Sequence, residues 1–137
     1  MKRFMRLLVG STLLALAACA TSPSAMNPQD EALEAYGKAI RWSEFADAWS
    51  FVDPALRERQ PLTELELARF KQIQVTGYEV KGRSNAADGS VEQTAEIRLV
   101  NKNTQIERIV TDHQRWRWDA AGKRFWLTSG LPDFTAQ

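Results

Sequence analysis

Val91-Glu92-Gln93-Thr94-Ala95-Glu96-Ile97-Arg98-Leu99 decides the fold of this chain. Val91, Gln93, Ala95, Ile97 and Leu99 alternate with Glu92, Thr94, Glu96 and Arg98. Successive side chains on a strand point to opposite faces, so the segment reads as a strand with one buried face and one wet face. A strand of that kind belongs to an antiparallel sheet that covers a core on one side only. On its N-terminal side the period of two begins at Ile73, with Tyr78 and Val80 alternating with Glu79 and Lys81, and residues 85–89 (NAADG) make a turn. On its C-terminal side residues 101–104 turn the chain into a long strand, residues 106–118, whose apolar positions are Ile106, Val110, Trp116 and Trp118. Ile109 interrupts that alternation, which predicts a bulge. Asp119-Ala120-Ala121-Gly122 is a tight connection into a last strand, residues 124–128, and residues 129–137 read as irregular. The expected sheet is a four-stranded antiparallel meander.

Upstream the period is helical. Asn27 is a good N-cap, and Pro28 suits the first helical position, where a missing N–H costs nothing. Asp30, Glu31 and Glu34 put negative charge near the positive helix end. Leu33, Tyr36 and Ile40 form one stripe, and Trp42, Phe45, Ala46 and Trp49 a second, out of phase with it. That mismatch predicts a break over residues 41–43, with Ser43 as a cap, and an end at Asp53-Pro54, since a residue before proline avoids the helical region. Residues 55–60 fit one short helical turn. Thr63-Glu64-Leu65-Glu66 is a capping box, with Leu62 and Leu67 placed as a hydrophobic staple, and predicts a helix over residues 64–72. Helices followed by an antiparallel sheet make an α+β domain, here residues 29–137, with the helices on the apolar sheet face.

Residues 1–18 have the layout of a secretory signal: basic Lys2, Arg3 and Arg6, an apolar run over residues 7–18, then small residues. The run is too short to span a bilayer, which takes roughly 20 apolar residues. Leu16-Ala17-Ala18-Cys19 resembles the lipobox of bacterial lipoproteins. That resemblance implies cleavage before Cys19, a diacylglyceryl group on its sulfur and an acyl group such as palmitate on its amine. Each buried methylene contributes about 0.8 kcal/mol, so two or three chains anchor firmly. Ala20, where an Asp would favour retention at the inner membrane, implies the periplasmic face of the outer membrane. The alternative is an ordinary signal cut nearby that leaves a free thiol. Residues 19–28, small and polar with Pro23, read as a tether holding the domain on the order of 15–20 Å from the lipid.

Cys19 is the only cysteine, so no internal disulfide is expected and packing must supply stability. The leader holds three of the 18 basic residues and none of the 17 acidic ones, leaving 15 against 17, formally −2. That balance argues against a nucleic-acid partner, which calls for a basic surplus.

Ala39-Ile40-Arg41-Trp42-Ser43-Glu44-Phe45-Ala46-Asp47-Ala48-Trp49, running into Val52-Asp53-Pro54, resembles the helical opening of nuclear transport factor 2-like (cystatin-like) domains. The hairpin from Trp116 to Leu127 resembles their final two strands. The resemblance implies a cone, a strongly curved sheet wrapped around helices, often with a pocket at its open end. No catalytic set of that superfamily matches residues here, and a fold alone does not give a function.

Few residues offer chemistry. Asp112 and the only histidine, His113, are adjacent on a strand and so face opposite ways; if Trp116 and Trp118 face inward, Asp112 does too and His113 faces out. A carboxylate inside an apolar cone is a candidate base, with its pKa raised by burial. The plain alternative is a strand-end residue or the partner of an arginine. One histidine and one lipidated cysteine make no metal site, and no cofactor motif is present. Trp42, Trp49, Trp116, Trp118 and Trp126 are candidates to line a pocket for an apolar or sugar ligand, or are core. Arg115, Arg117, Lys123 and Arg124 gather cations on one hairpin, facing lipid headgroups or an acidic partner, or simply water. The expected function is a membrane-anchored, non-enzymatic envelope lipoprotein that binds a partner protein or a small apolar ligand. The alternative is a small cone-pocket enzyme, an isomerase, dehydratase or hydrolase, with Asp112 as base.

Overall fold

The computed structural model describes residues 25–135. The leader (1–18), Cys19 and the tether up to residue 24 lie outside the described residues. Four helices precede four strands: α1 (Pro28–Arg41), α2 (Phe45–Trp49), α3 (Pro54–Arg59), α4 (Glu64–Phe70), β1 (Ile73–Asn85), β2 (Val91–Asn101), β3 (Glu107–Asp119) and β4 (Arg124–Leu127). The strands form one antiparallel sheet in the order β1-β2-β3-β4, the class and meander expected.

The first helix starts as its sequence dictates. The Asn27 side chain accepts from the Asp30 N–H at 2.9 Å, and Pro28 opens the first turn. Asp30 and Glu31 sit in that turn and Lys38 and Arg41 in the last, both signs matching the helix dipole. Leu33, Tyr36, Ala39 and Ile40 form the buried stripe.

The break comes where expected, but Ser43 does not cap. It turns left-handed at φ 62°, and its Oγ instead accepts from the Val75 N–H of β1 at 2.9 Å. This turn resets the helical phase. In α2 the buried residues are Phe45 and Ala48, while Ala46 is exposed and Trp42, before the turn, is 70% exposed. Nor does α2 run on to Asp53. It ends at Trp49, and Val52 forms a parallel bridge with Leu127 of β4. Asp53 instead caps α3, accepting from the Ala55 N–H at 2.9 Å. The capping box of α4 is present in both directions, Glu66 N–H to Thr63 Oγ1 at 3.2 Å and Thr63 N–H to Glu66 Oε2 at 2.8 Å.

The inner sheet face carries Val75, Val91, Ile97, Leu99, Trp116, Phe125 and Leu127, which pack against Leu33, Tyr36, Ile40, Phe45 and Val52. The outer face is polar, with ion pairs such as Arg115–Glu92 at 2.5 Å. The bulge expected at Ile109 is absent. The β2–β3 register runs unbroken from Val91↔Trp116 to Val100↔Glu107, and Ile109 simply lies opposite Arg98 with its side chain in water. The irregularities fall in β1, between Val75 and Gly77 and between Val80 and Gly82. The tail contributes to the core as well. Phe134 is buried, 4.8 Å from the Phe45 ring and 5.8 Å from that of Phe70, centroid to centroid.

The outer side of β4 is partly taken: the Leu127 N–H donates to the Phe51 carbonyl and the Asp53 N–H to the Leu127 carbonyl. Among the described residues no strand lies on the outer side of β1, but there Ser43 holds the Val75 N–H and Arg41 donates to the Val75 carbonyl at 3.1 Å. The register also sorts the two ends of the sheet. The β1–β2 and β3–β4 turns share one end, where α1 begins and Gln29 donates to Asn85 at 3.2 Å. The β2–β3 turn lies at the other end, beside Gln72 and, through Arg108, Phe134.

Candidate functional site

A line of polar side chains crosses the core between α1 and the sheet. Gln93, Asp112 and Gln114 are its buried members, on the inward positions of β2 and β3. Arg83 Nε donates to Gln93 Oε1 at 2.9 Å, Gln93 Nε2 to Gln114 Oε1 at 3.1 Å, and Gln114 Nε2 to Asp112 Oδ2 at 2.8 Å. All three bonds run in one direction, from a guanidinium near the surface to a carboxylate in the core, so each amide dipole polarises the next. The hub is Gln114. Its Nε2 also donates to the Tyr78 hydroxyl at 2.8 Å, and its Oε1 also accepts from Trp116 Nε1 at 3.1 Å, so both amide hydrogens and both oxygen lone pairs have partners.

Asp112 is buried as expected for an inward position beside Trp116, and its outward neighbour His113 is exposed. It is neither a strand-end residue nor the partner of an arginine: Gln114 and the Tyr36 hydroxyl, at 3.2 Å, donate to it, and both are neutral. Burial is the main influence and raises its pKa to about 6; the two hydrogen bonds pull the other way. The same burial, with the Asp112 charge beside it, pushes the Tyr36 hydroxyl well above its ordinary value. A carboxyl group titrating near 6 holds or releases a proton over the range where an exposed aspartate stays ionised.

The outer end of this line opens into a cleft between α1 and β1 of about 520 Å³. Arg83, Gln93 and Tyr78 line it together with Leu33, Gly37 and Val80, and Met26 stands at its rim. Met26 and Val80 are 51% and 46% exposed, large apolar groups left in water on the same cleft. Arg83 is held there by Asp30 of α1 at 2.6 Å.

The five tryptophans do not gather. Trp116 is enclosed in the core, edge-on to Tyr36 at 5.3 Å. Trp49 is half-buried along a groove of about 430 Å³ between α3, α4 and the tail. Trp42 lies in water under Arg41, and Trp118 packs on Phe125 at 5.0 Å. Trp126 lies beneath the Arg124 guanidinium at 3.8 Å and donates to Asp119 at 3.1 Å. Of the hairpin cations, Arg115 and Arg117 are in ion pairs with Glu92 and Asp53. Among the described residues no group of three or more His, Cys, Asp or Glu side chains is placed to hold a metal ion.

Sequence reasoning found Asp112 and its face. It missed Tyr36, Tyr78 and Arg83 as its associates, although inward glutamines at 93 and 114 beside an inward aspartate were a readable signal that polar partners had to reach them. No protein-family model, curated protein or solved structure matches this chain.

Proposed function

We propose that this is an envelope lipoprotein, held to the membrane by lipid on Cys19, whose body is a non-enzymatic binding module for a small ligand with an apolar part. The cleft between α1 and β1 carries this reading. It offers exposed apolar walls at Met26 and Val80 and a polar floor at Arg83, Gln93 and Tyr78. Apolar walls with a few convergent polar groups are what a small-molecule site requires. The α+β order and the antiparallel meander support a nuclear transport factor 2-like body, and the lipobox and its leader support the anchor.

The enzyme reading, with Asp112 as general base, rests on the raised pKa of that group. Against it, the cleft wall stops at Gln93 and Tyr78, two hydrogen bonds short of the Asp112 carboxylate.

The test is native mass spectrometry of the protein extracted from envelopes with mild detergent, beside a Val80→Trp variant that fills the cleft. The expected result is lipid mass on Cys19 in both and a bound small molecule in the wild type alone. Equal small-molecule occupancy in the two proteins would remove the cleft from the reading, and a bare Cys19 thiol would remove the anchor.

A further inference from the structure

We infer that the end of the sheet carrying the β1–β2 and β3–β4 turns is a membrane-contact surface that sits against the lipid bilayer. This rests on the reading of Cys19 as the lipid anchor.

Eight peptide steps separate Cys19 from Asn27, so the two can lie no more than about 29 Å apart even when fully extended. Asn27 caps α1 at the end where both turns lie. The opposite end, with the β2–β3 turn, is farther by the length of the 11-residue β2, roughly 35 Å. Reach therefore favours the turn end.

The chemistry of that end agrees. Its two tips, residues 86–90 and 119–123, are made mostly of small residues, among them Ala86, Ala87, Ala120, Ala121 and Gly122. Two of the acids there are tied into their own turns, while Glu31 of α1 and Glu92 of β2 stand exposed at the same end. Asp88 accepts from the Ser90 N–H and hydroxyl, and Asp119 from the Ala121 and Gly122 N–H groups and from Trp126. Lys123 and Arg124 remain on the exposed surface, Arg124 stacked over Trp126, while Trp118, on the opposite face of the same hairpin, is 38% exposed. Basic side chains and a part-exposed tryptophan at one hairpin suit the headgroup zone, where anionic lipid attracts the cations and an indole is at home. In this pose a cavity of about 710 Å³ between Arg69, Ile73, Asn101, Ile106 and Phe134 faces away from the bilayer.

Among the described residues the buried core runs from Leu33 to Phe134, so the body is tested without its leader. Residues 20–137, which lack cysteine, are held on vesicles by an N-terminal hexahistidine and a nickel-chelating lipid. The vesicles contain phosphatidylcholine and phosphatidylglycerol with a headgroup-level quencher. An environment-sensitive dye is attached at Ala121→Cys or, separately, at Asn103→Cys. Quenching at position 121 at least threefold stronger than at 103, and reduced by Lys123→Glu with Arg124→Glu, is the expected result. Equal quenching at both positions, or stronger quenching at 103, would overturn the pose. Quenching at 121 that ignores the charge reversal would overturn the part given to the cations. Because the vesicle anchor is supplied by the experiment, a failure here is distinct from a failure to find lipid on Cys19.

Discussion

Gly37 of α1 and Tyr78 of β1 meet so closely that only a residue without a side chain fits: a Cβ on Gly37 would lie 2.9 Å from Tyr78 Cε1. A glycine inside a helix ordinarily costs about 1 kcal/mol against alanine, so Gly37→Ala should stabilise an isolated α1. In the folded protein the ring would have to move, and its hydroxyl is bonded to Gln114 and Gln93. Overpacking of this kind costs about 1–3 kcal/mol. The net expectation is a loss of about 1 kcal/mol, read by urea denaturation; a gain would show that the ring yields freely.

Asp112 makes the stability fall as the pH rises. Its folded pKa, about 6, lies above its ordinary value of 3.8, so between those values the folded state binds the proton more tightly than the unfolded chain. Its penalty is absent below about pH 4, grows through pH 4–6 and is complete above about 7, where it amounts to on the order of 2–3 kcal/mol. An asparagine can keep its carbonyl oxygen toward the Tyr36 and Gln114 donors. Asp112→Asn is therefore expected to match or exceed the wild type at pH 7.5 and to flatten the slope between pH 4 and 7. A less stable variant with the slope intact would refute this assignment.

Phe134 should matter despite its place in an irregular tail. It is enclosed between Phe45 and Phe70, and truncating a buried phenylalanine costs about 3–5 kcal/mol. Phe134→Ala is expected at the lower end, about 3 kcal/mol, because a tail can partly refill the space. A loss under about 0.5 kcal/mol in thermal denaturation would mean that the tail is not held.

Asp53 joins a helix cap to an ion pair, through the Ala55 N–H and, at 2.6 Å, Arg117. Asp53→Ala should cost about 1–2 kcal/mol and Asp53→Asn about half as much, since Asn still caps. The hydrogen bond from Arg117 holds the Asp53 pKa below 3.8, so its stabilisation is present above that value and is lost as the pH falls through the folded pKa. The gap between wild type and Asp53→Asn should close in strong acid and persist at pH 7; a gap independent of pH would contradict the ion pair.

The sheet was legible chiefly through β2, where the alternation from Val91 to Leu99 marked the buried face without any tertiary information, while the register shifts in β1 beside Gly77 and Gly82 were not anticipated. The caps at Asn27 and Thr63 were readable for the same reason, whereas Asp53, read as a helix end, caps α3. What failed depended on distant partners. Ser43 was expected to serve the helix next to it, but the Val75 N–H across the chain claimed its hydroxyl. Ile109 suggested a bulge only because an apolar residue on a solvated face breaks the pattern as an inserted residue would. The polar line was half visible: parity put Gln93, Gln114 and Asp112 on one side, yet nothing local could tell that Tyr36, Tyr78 and Arg83 converge on them.

The two borders of the sheet are unequal. The chain around Val52 partly covers one, while beyond the stretch fixed by Ser43 and Arg41 the other has no neighbouring strand among the described residues. An additional strand that paired along the free part of β1 would widen the sheet on the side where Val80 and Arg83 line the α1 cleft, so recruitment there and occupancy of the cleft would compete for one stretch of surface.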